Sequence, residues 1–117
     1  MADSVVFVGW NRPKAGREKH ANELFNSFLN YLGKQQQAGV VESFEPVLLN
    51  PHGGDMNGFV LVRGSRDKLN QLTGTDEWYN IITDCNVAVD NFGQVMGWTG
   101  TGVNKMMGIW QNTIKKY

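Results

Sequence analysis

Asn57-Gly58-Phe59-Val60-Leu61-Val62-Arg63 is the stretch on which the fold turns. Asn-Gly is a turn pair, and the residues after it stay apolar up to Arg63, without the alternation that one wet face would impose. The segment therefore reads as a strand buried on both faces. Val5-Val6-Phe7-Val8-Gly9-Trp10 has the same β-branched and aromatic character and ends at Asn11-Arg12-Pro13, where proline interrupts a sheet ladder. Two such strands require cover on both sides of their sheet.

Between them lies a helix. Ala21, Leu24, Phe25, Phe28, Leu29 and Leu32 follow an i, i+3, i+4, i+7, i+8, i+11 series that only an α-helix gathers on one face, and Gly33 is expected to stop it. Glu18, Lys19, Asn22, Glu23, Asn26 and Asn30 fall on the opposite, water-facing side. Val40 to Leu49 reads as a second strand, followed by a wide hairpin loop, Asn50-Pro51-His52-Gly53-Gly54-Asp55. Beyond strand 3, Ser65 and Thr75 are placed to cap two helical pieces broken at Gly74. Val87-Ala88-Val89 fits either helix or extended chain, and Asp90-Asn91 marks a turn. Phe92 to Thr99 alternates large and small residues as a fourth strand does. Thr101-Gly102 is expected to cap a closing amphipathic helix with Val103, Met106, Met107, Trp110 and Ile114 on one stripe.

The order strand, helix, strand, strand, helix, strand, then an extra helix, is a ferredoxin-like βαββαβ sandwich of the α+β class, one domain over residues 1–117. Two helices cover one sheet face. The second face has no cover within the chain except the closing helix, and left bare it would expose a larger apolar patch than monomers usually tolerate, so a homodimer is expected. With this order, the pattern Gly-Arg-Glu-Lys-His-Ala-Asn-Glu-Leu-Phe from Gly16 to Phe25, and the loop His52-Gly53-Gly54-Asp55 before Gly58-Phe59, the chain resembles the dimeric α+β barrel superfamily over nearly its whole length. The resemblance implies two sheets facing each other across a two-fold axis. The superfamily holds cofactor-independent monooxygenases, lactone isomerases, haem-dependent decyclising or peroxidase enzymes, and branches to which no activity is assigned; the chain looks like one of the last. Fold does not carry function, and no catalytic motif of the superfamily is matched residue by residue.

Composition narrows the partners. Among 117 residues, eleven basic side chains balance eleven acidic ones, which supplies no footprint for nucleic acid or an anionic membrane. Cys85 is the only cysteine, so no intrachain disulfide can form, and it reads as a small buried hydrophobe suited to a reducing compartment. No apolar run approaches the ~20 residues of a membrane span. The expected location is cytoplasmic, without a targeting segment.

Few residues offer chemistry. His20 borders the apolar stripe of helix 1 and is the candidate general base; its bland reading is a boundary histidine half in solvent. His52 with Asp55 supplies half a metal site and no second cluster completes it, so neither a metal nor another cofactor is expected, and a haem would have only His20 or His52 as axial ligand. Gly97-Trp98-Thr99-Gly100-Thr101-Gly102 lies between strand and helix, where amides can hold an anion, but its spacing is not the dinucleotide fingerprint and its glycines equally suit a tight turn. Asn11, Ser43, Glu45, Arg63 and Gln94 are polar groups on apolar strands. Arg63 with Glu45 or Glu42 makes a structural ion pair in one reading. In the other, Trp10, Asn11, Arg63 and Tyr79 converge with His20 on a small aromatic-walled pocket for a flat organic ligand.

The leading expectation is thus a small homodimer binding a small organic molecule between sheet and helices. Its enzymatic version is cofactor-independent oxidation or isomerisation, with His20 as base and Asn11 and Arg63 orienting an oxygen or enolate. The competing expectation is a structural module whose sheet exists to dimerise.

Overall fold

The computed structural model describes residues 2–117; Met1, the first residue of the expected domain, lies outside them. Among the described residues the chain forms β1 (Ser4–Trp10), α1 (Glu18–Gln37), β2 (Ser43–Leu48), β3 (Gly58–Gly64), α2 (Arg66–Thr73), α3 (Asp76–Ala88), β4 (Gly93–Trp98) and α4 (Thr101–Ile114). The strands make one sheet in the order β2-β3-β1-β4, antiparallel throughout, which is the ferredoxin-like arrangement. No helix among the described residues is long and apolar enough to cross a membrane.

Register assigns the faces. Val6 pairs with Val62 and Val8 with Val60, and all four are buried against the helices. Phe28, Tyr31 and Leu32 of α1, Leu69 and Leu72 of α2 and Trp78 of α3 complete this core. Trp78 is fully enclosed, and its indole N–H donates to Gln94 Oε1 at 2.9 Å, so the ring is buried without an orphaned donor. The odd-numbered residues Val5, Phe7, Phe59 and Leu61 lie on the other face, only half-buried, with Phe7 stacked on Phe59 at 5.2 Å between centroids. The helices that bury the first face leave this one uncovered.

Four expectations need correction. Helix α1 runs through Gly33 and ends four residues later: Gly39 takes φ +78°, its N–H donates to Gln36 O at 3.1 Å and the Val40 N–H donates to Gln35 O at 3.0 Å. That is a Schellman closure, and it needs the left-handed conformation at Gly39 rather than a glycine within the helix. The linker expected at Lys34 to Ala38 is accordingly the last turn and cap of α1, and β2 starts only at Ser43. Ser65 stands at the cap position of α2 without a side-chain bond; Asp3 Oδ1 accepts from the Arg66 N–H at 3.2 Å instead. Helix α4 begins after Gly100, at φ +55°, with no side-chain cap from Thr101. By contrast, Thr75 caps α3 through Trp78 N–H at 3.2 Å, with the break at Gly74 as the sequence suggests, and Val87-Ala88 belongs to α3.

The closing helix packs against β4 at its start and then leaves the body. Gly102 at that start is buried, whereas Val103, Met107, Ile109, Trp110 and Ile114 are exposed, Trp110 by 61%. The radius of gyration is 16.0 Å, against about 13 Å for a compact domain of this length.

Candidate functional site

Where β1 leaves the sheet at Trp10, the following loop is tied to the segment joining α3 and β4. Asn11 N–H donates to Asp90 O at 2.9 Å, Asp90 N–H to Arg12 O at 2.8 Å and Lys14 N–H to Ala88 O at 2.9 Å, around a Pro13–Val89 bridge. These bonds fix an end wall under the first half of α1. Between wall, helix and sheet lies a cavity of about 300 Å³, at the lower end of the range of small-molecule sites.

Its lining is mostly apolar. Helix α1 contributes Ala21, Leu24, Phe25 and Phe28; the sheet contributes Val8, Trp10 and Leu48; Pro13, Val89 and Phe92 form the end wall, and Cys85 comes from α3. The small side chain of Ala21 leaves the space open. Trp10 meets Phe25 edge-to-face at 5.7 Å, an arrangement that fixes both rings. The polar lining is Glu18 and Asn22, one turn apart on α1 and both exposed, which places them at the mouth. Glu18 Oε1 accepts from the Gly16 N–H at 3.2 Å. Burial, reinforced by the neighbouring Asp84 charge, pushes the Cys85 thiol up to about 12. It is protonated at neutral pH and is not an activated nucleophile.

The expected site residues do not converge. Trp10 lines the cavity. Asn11 lies just beyond the end of β1; its buried Oδ1 has no hydrogen-bond partner among the described residues. Arg63 lies on the face of the sheet away from the helices, both terminal nitrogens 3.3 Å from Glu45 Oε1, as the ion-pair reading anticipated. Tyr79 borders a separate depression of about 220 Å³ with Thr73, Gln94 and Met96. His20 Nε2 lies 2.9 Å from Asp84 Oδ1 at the seam of α1 and α3, both side chains 47% exposed, outside the cavity lining. His52 Nδ1 lies 2.9 Å from Asn50 O in an exposed loop, and no three metal-ligating side chains cluster among the described residues.

The Gly97–Gly102 segment has a packing explanation. A Cβ on Gly100 would stand 2.7 Å from Ala2 O, and one on Gly102 would overlap Asp3 O, so these glycines let the start of α4 cross the chain entering β1. Beside them the Arg66 guanidinium lies 3.5 Å above the Trp98 ring and donates to Ser4 Oγ and Gly97 O, both at 3.0 Å.

Of the lining residues, sequence reasoning offers only Trp10 as a ligand contact; Glu18, Asn22, Leu48 and Cys85 are among those it passes over. A signal existed for two of them. Glu18 and Asn22 flank Ala21 and Phe25 on the helix, at the border of the apolar stripe, a position open to a groove as well as to water.

No protein-family model matches the chain, and no curated protein does. Solved structures do resemble it. A dimeric protein of unknown function and ferredoxin-like fold from Bacteroides fragilis aligns with TM-score 0.61 and 12% identity over 82% of this chain and 95% of that one. An ethyl tert-butyl ether D family protein from Bacillus halodurans aligns with TM-score 0.63 and 10% identity over 84% and 99%. SnoaB, a cofactor-independent oxygenase from Streptomyces nogalater, aligns with TM-score 0.51 and 16% identity over 85% and 93%. Likeness at these identities establishes the ferredoxin-like α+β fold.

Proposed function

We propose that the chain is a homodimeric protein that binds a small, largely apolar organic molecule in the cavity between α1 and the sheet. The observation that carries this reading is the cavity itself, apolar on its walls and polar only at its mouth. Trp10 and Phe25, packed edge-to-face, form its aromatic wall. Binding is favoured over turnover because His20 is engaged with Asp84 outside the lining, Arg63 is on the other sheet face, and the Cys85 thiol stays protonated. Among the described residues that line the cavity, none is a lysine, arginine or histidine.

Two uncovered apolar surfaces support the dimer: the sheet face bearing Val5, Phe7, Phe59 and Leu61, and the outer stripe of α4. The neighbour from Bacteroides fragilis is itself a dimeric protein. Association through the sheet leaves the cavity, on the opposite face, accessible. Balanced charge argues against a nucleic-acid partner, and a lone thiol suits the cytoplasm.

The test is a ligand-detected NMR screen of one- and two-ring aromatic compounds against the wild type and Ala21→Leu, which fills the cavity. Hits that bind the wild type and are lost in folded Ala21→Leu are the expected result. A screen without hits would favour a protein whose sheet serves only to dimerise.

A further inference from the structure

We infer that the cavity selects for a ligand with an apolar ring body and a cationic or neutral hydrogen-bond-donating head, and against an anionic one. The inference rests on the proposed binding function and adds the ligand's polarity. Its basis is the distribution of charge around the lining. Glu18 is the lining residue charged at neutral pH, since Cys85 is held as the neutral thiol. Among the described residues no lysine, arginine or histidine lines the cavity. Arg12, Lys14, Arg17 and Lys19 flank the lining residues Pro13 and Glu18 in sequence, but none of them lines the cavity, and Glu18 makes no ion pair with any of them among the described residues. Its bond from Gly16 N–H engages Oε1 and leaves Oε2 as a second acceptor.

Position converts that charge into an orientation. Glu18 and Asn22 stand at the exposed mouth, whereas Phe28 is buried, ten residues further along α1, about 15 Å of helix. A molecule whose ring lies against Trp10 and Phe25, the latter seven residues or about 10 Å of helix from Glu18, can leave its head beside Glu18 and Asn22. An ammonium or hydroxyl there donates to the Glu18 carboxylate or the Asn22 carbonyl. A carboxylate there meets a like charge near a low-dielectric wall, which is unfavourable.

The test uses three probes on one ring system, 2-naphthylmethylamine, 2-naphthylmethanol and 2-naphthoate, titrated calorimetrically into the full chain at pH 7. The expected order is amine, then alcohol, then carboxylate, with the amine at least about tenfold tighter than the carboxylate and weakened by added salt. Glu18→Gln keeps the acceptor for Gly16 N–H and should erase the ratio between amine and carboxylate; Glu18→Lys should invert it. If naphthoate binds as tightly as the amine, or the ratio survives Glu18→Gln, the selectivity is wrong and the cavity reading stands. If none of the three binds while Ala21→Leu and wild type behave alike, both are wrong.

Discussion

Gly58 pairs across the sheet with Trp10, and the indole lies so close that a Cβ at position 58 would stand 2.8 Å from Trp10 Cζ2 and 3.0 Å from Val47 O. The glycine therefore leaves room at the sheet end for the ring that meets Phe25 edge-to-face. Gly58→Ala forces the indole toward the cavity, because the Val47 carbonyl on the other side is backbone and cannot yield. The expected cost is about 1–3 kcal/mol of stability, as for an overpacked core site. Affinity for any cavity ligand should fall by about tenfold. Urea melts and calorimetry on the same preparation check both; unchanged values would mean the ring has room that the structure does not show.

His20 and Asp84 form an exposed pair at 2.9 Å, and such pairs contribute little. His20→Ala and Asp84→Asn should each cost less than about 1 kcal/mol. Neither should alter binding in the cavity, because neither side chain lines it. A large loss of binding in His20→Ala, with stability intact, would restore His20 as a functional group and count against a cavity that binds through its apolar walls and Glu18.

The contrast between these two sites shows what sequence patterning conveys. The period of α1 and the two-sided apolar strands were legible because burial acts on every residue of an element, and they led to the sheet order and the uncovered face. The helix end was not, since Gly33 and Gly39 look alike until φ is known, and only Gly39 adopts the left-handed turn. Strand parity could have separated Trp10 from Arg63, since residues of opposite parity on these antiparallel partners face opposite ways. The convergence of those residues with His20 and Tyr79 was an inference from polarity alone, and polarity does not report direction. Glu18 was assigned to water because exposure and cavity-mouth position leave the same mark on a helix wheel.

Cys85 gives a pH signature. Its thiol ionises near 9.0 when unfolded and is pushed up to about 12 in the folded chain, desolvation being the main cause. Above pH 9 the unfolded chain releases this proton while the folded chain keeps it, so the contribution to stability is complete below that pH and is lost as pH rises toward 12. Burial also pushes the Tyr31 phenol up, so the total profile mixes both groups. The difference between wild type and Cys85→Ala isolates the thiol: the stability gap should shift in favour of Cys85→Ala as pH rises from 9 to 11. Alkylation by iodoacetamide at pH 8 should be slow in the native state and fast in urea. Rapid native alkylation would show that the thiol is neither desolvated nor protonated as the cavity wall requires.

Leu61 and Glu45 are cross-strand partners on the uncovered face, with Phe7 on the other side of Leu61. If a second copy covers this face, the mass in solution at micromolar concentration is twice 13.1 kDa. Leu61→Glu then places a second carboxylate beside Glu45 inside the interface, where both the lost apolar burial and the buried like charge oppose association. Sedimentation velocity should find this variant monomeric, while Gln71→Glu, on an exposed position of α2, keeps the doubled mass. Trp110→Ser separates the two surfaces: weaker association would place the α4 stripe in the same contact, whereas an unchanged dimer would confine the contact to the sheet. A monomeric wild type would require the sheet face and α4 to stay in water with Phe7, Leu61 and Trp110 unpartnered, a patch that soluble monomers rarely carry, and would remove the dimer from the proposal while leaving the cavity untouched.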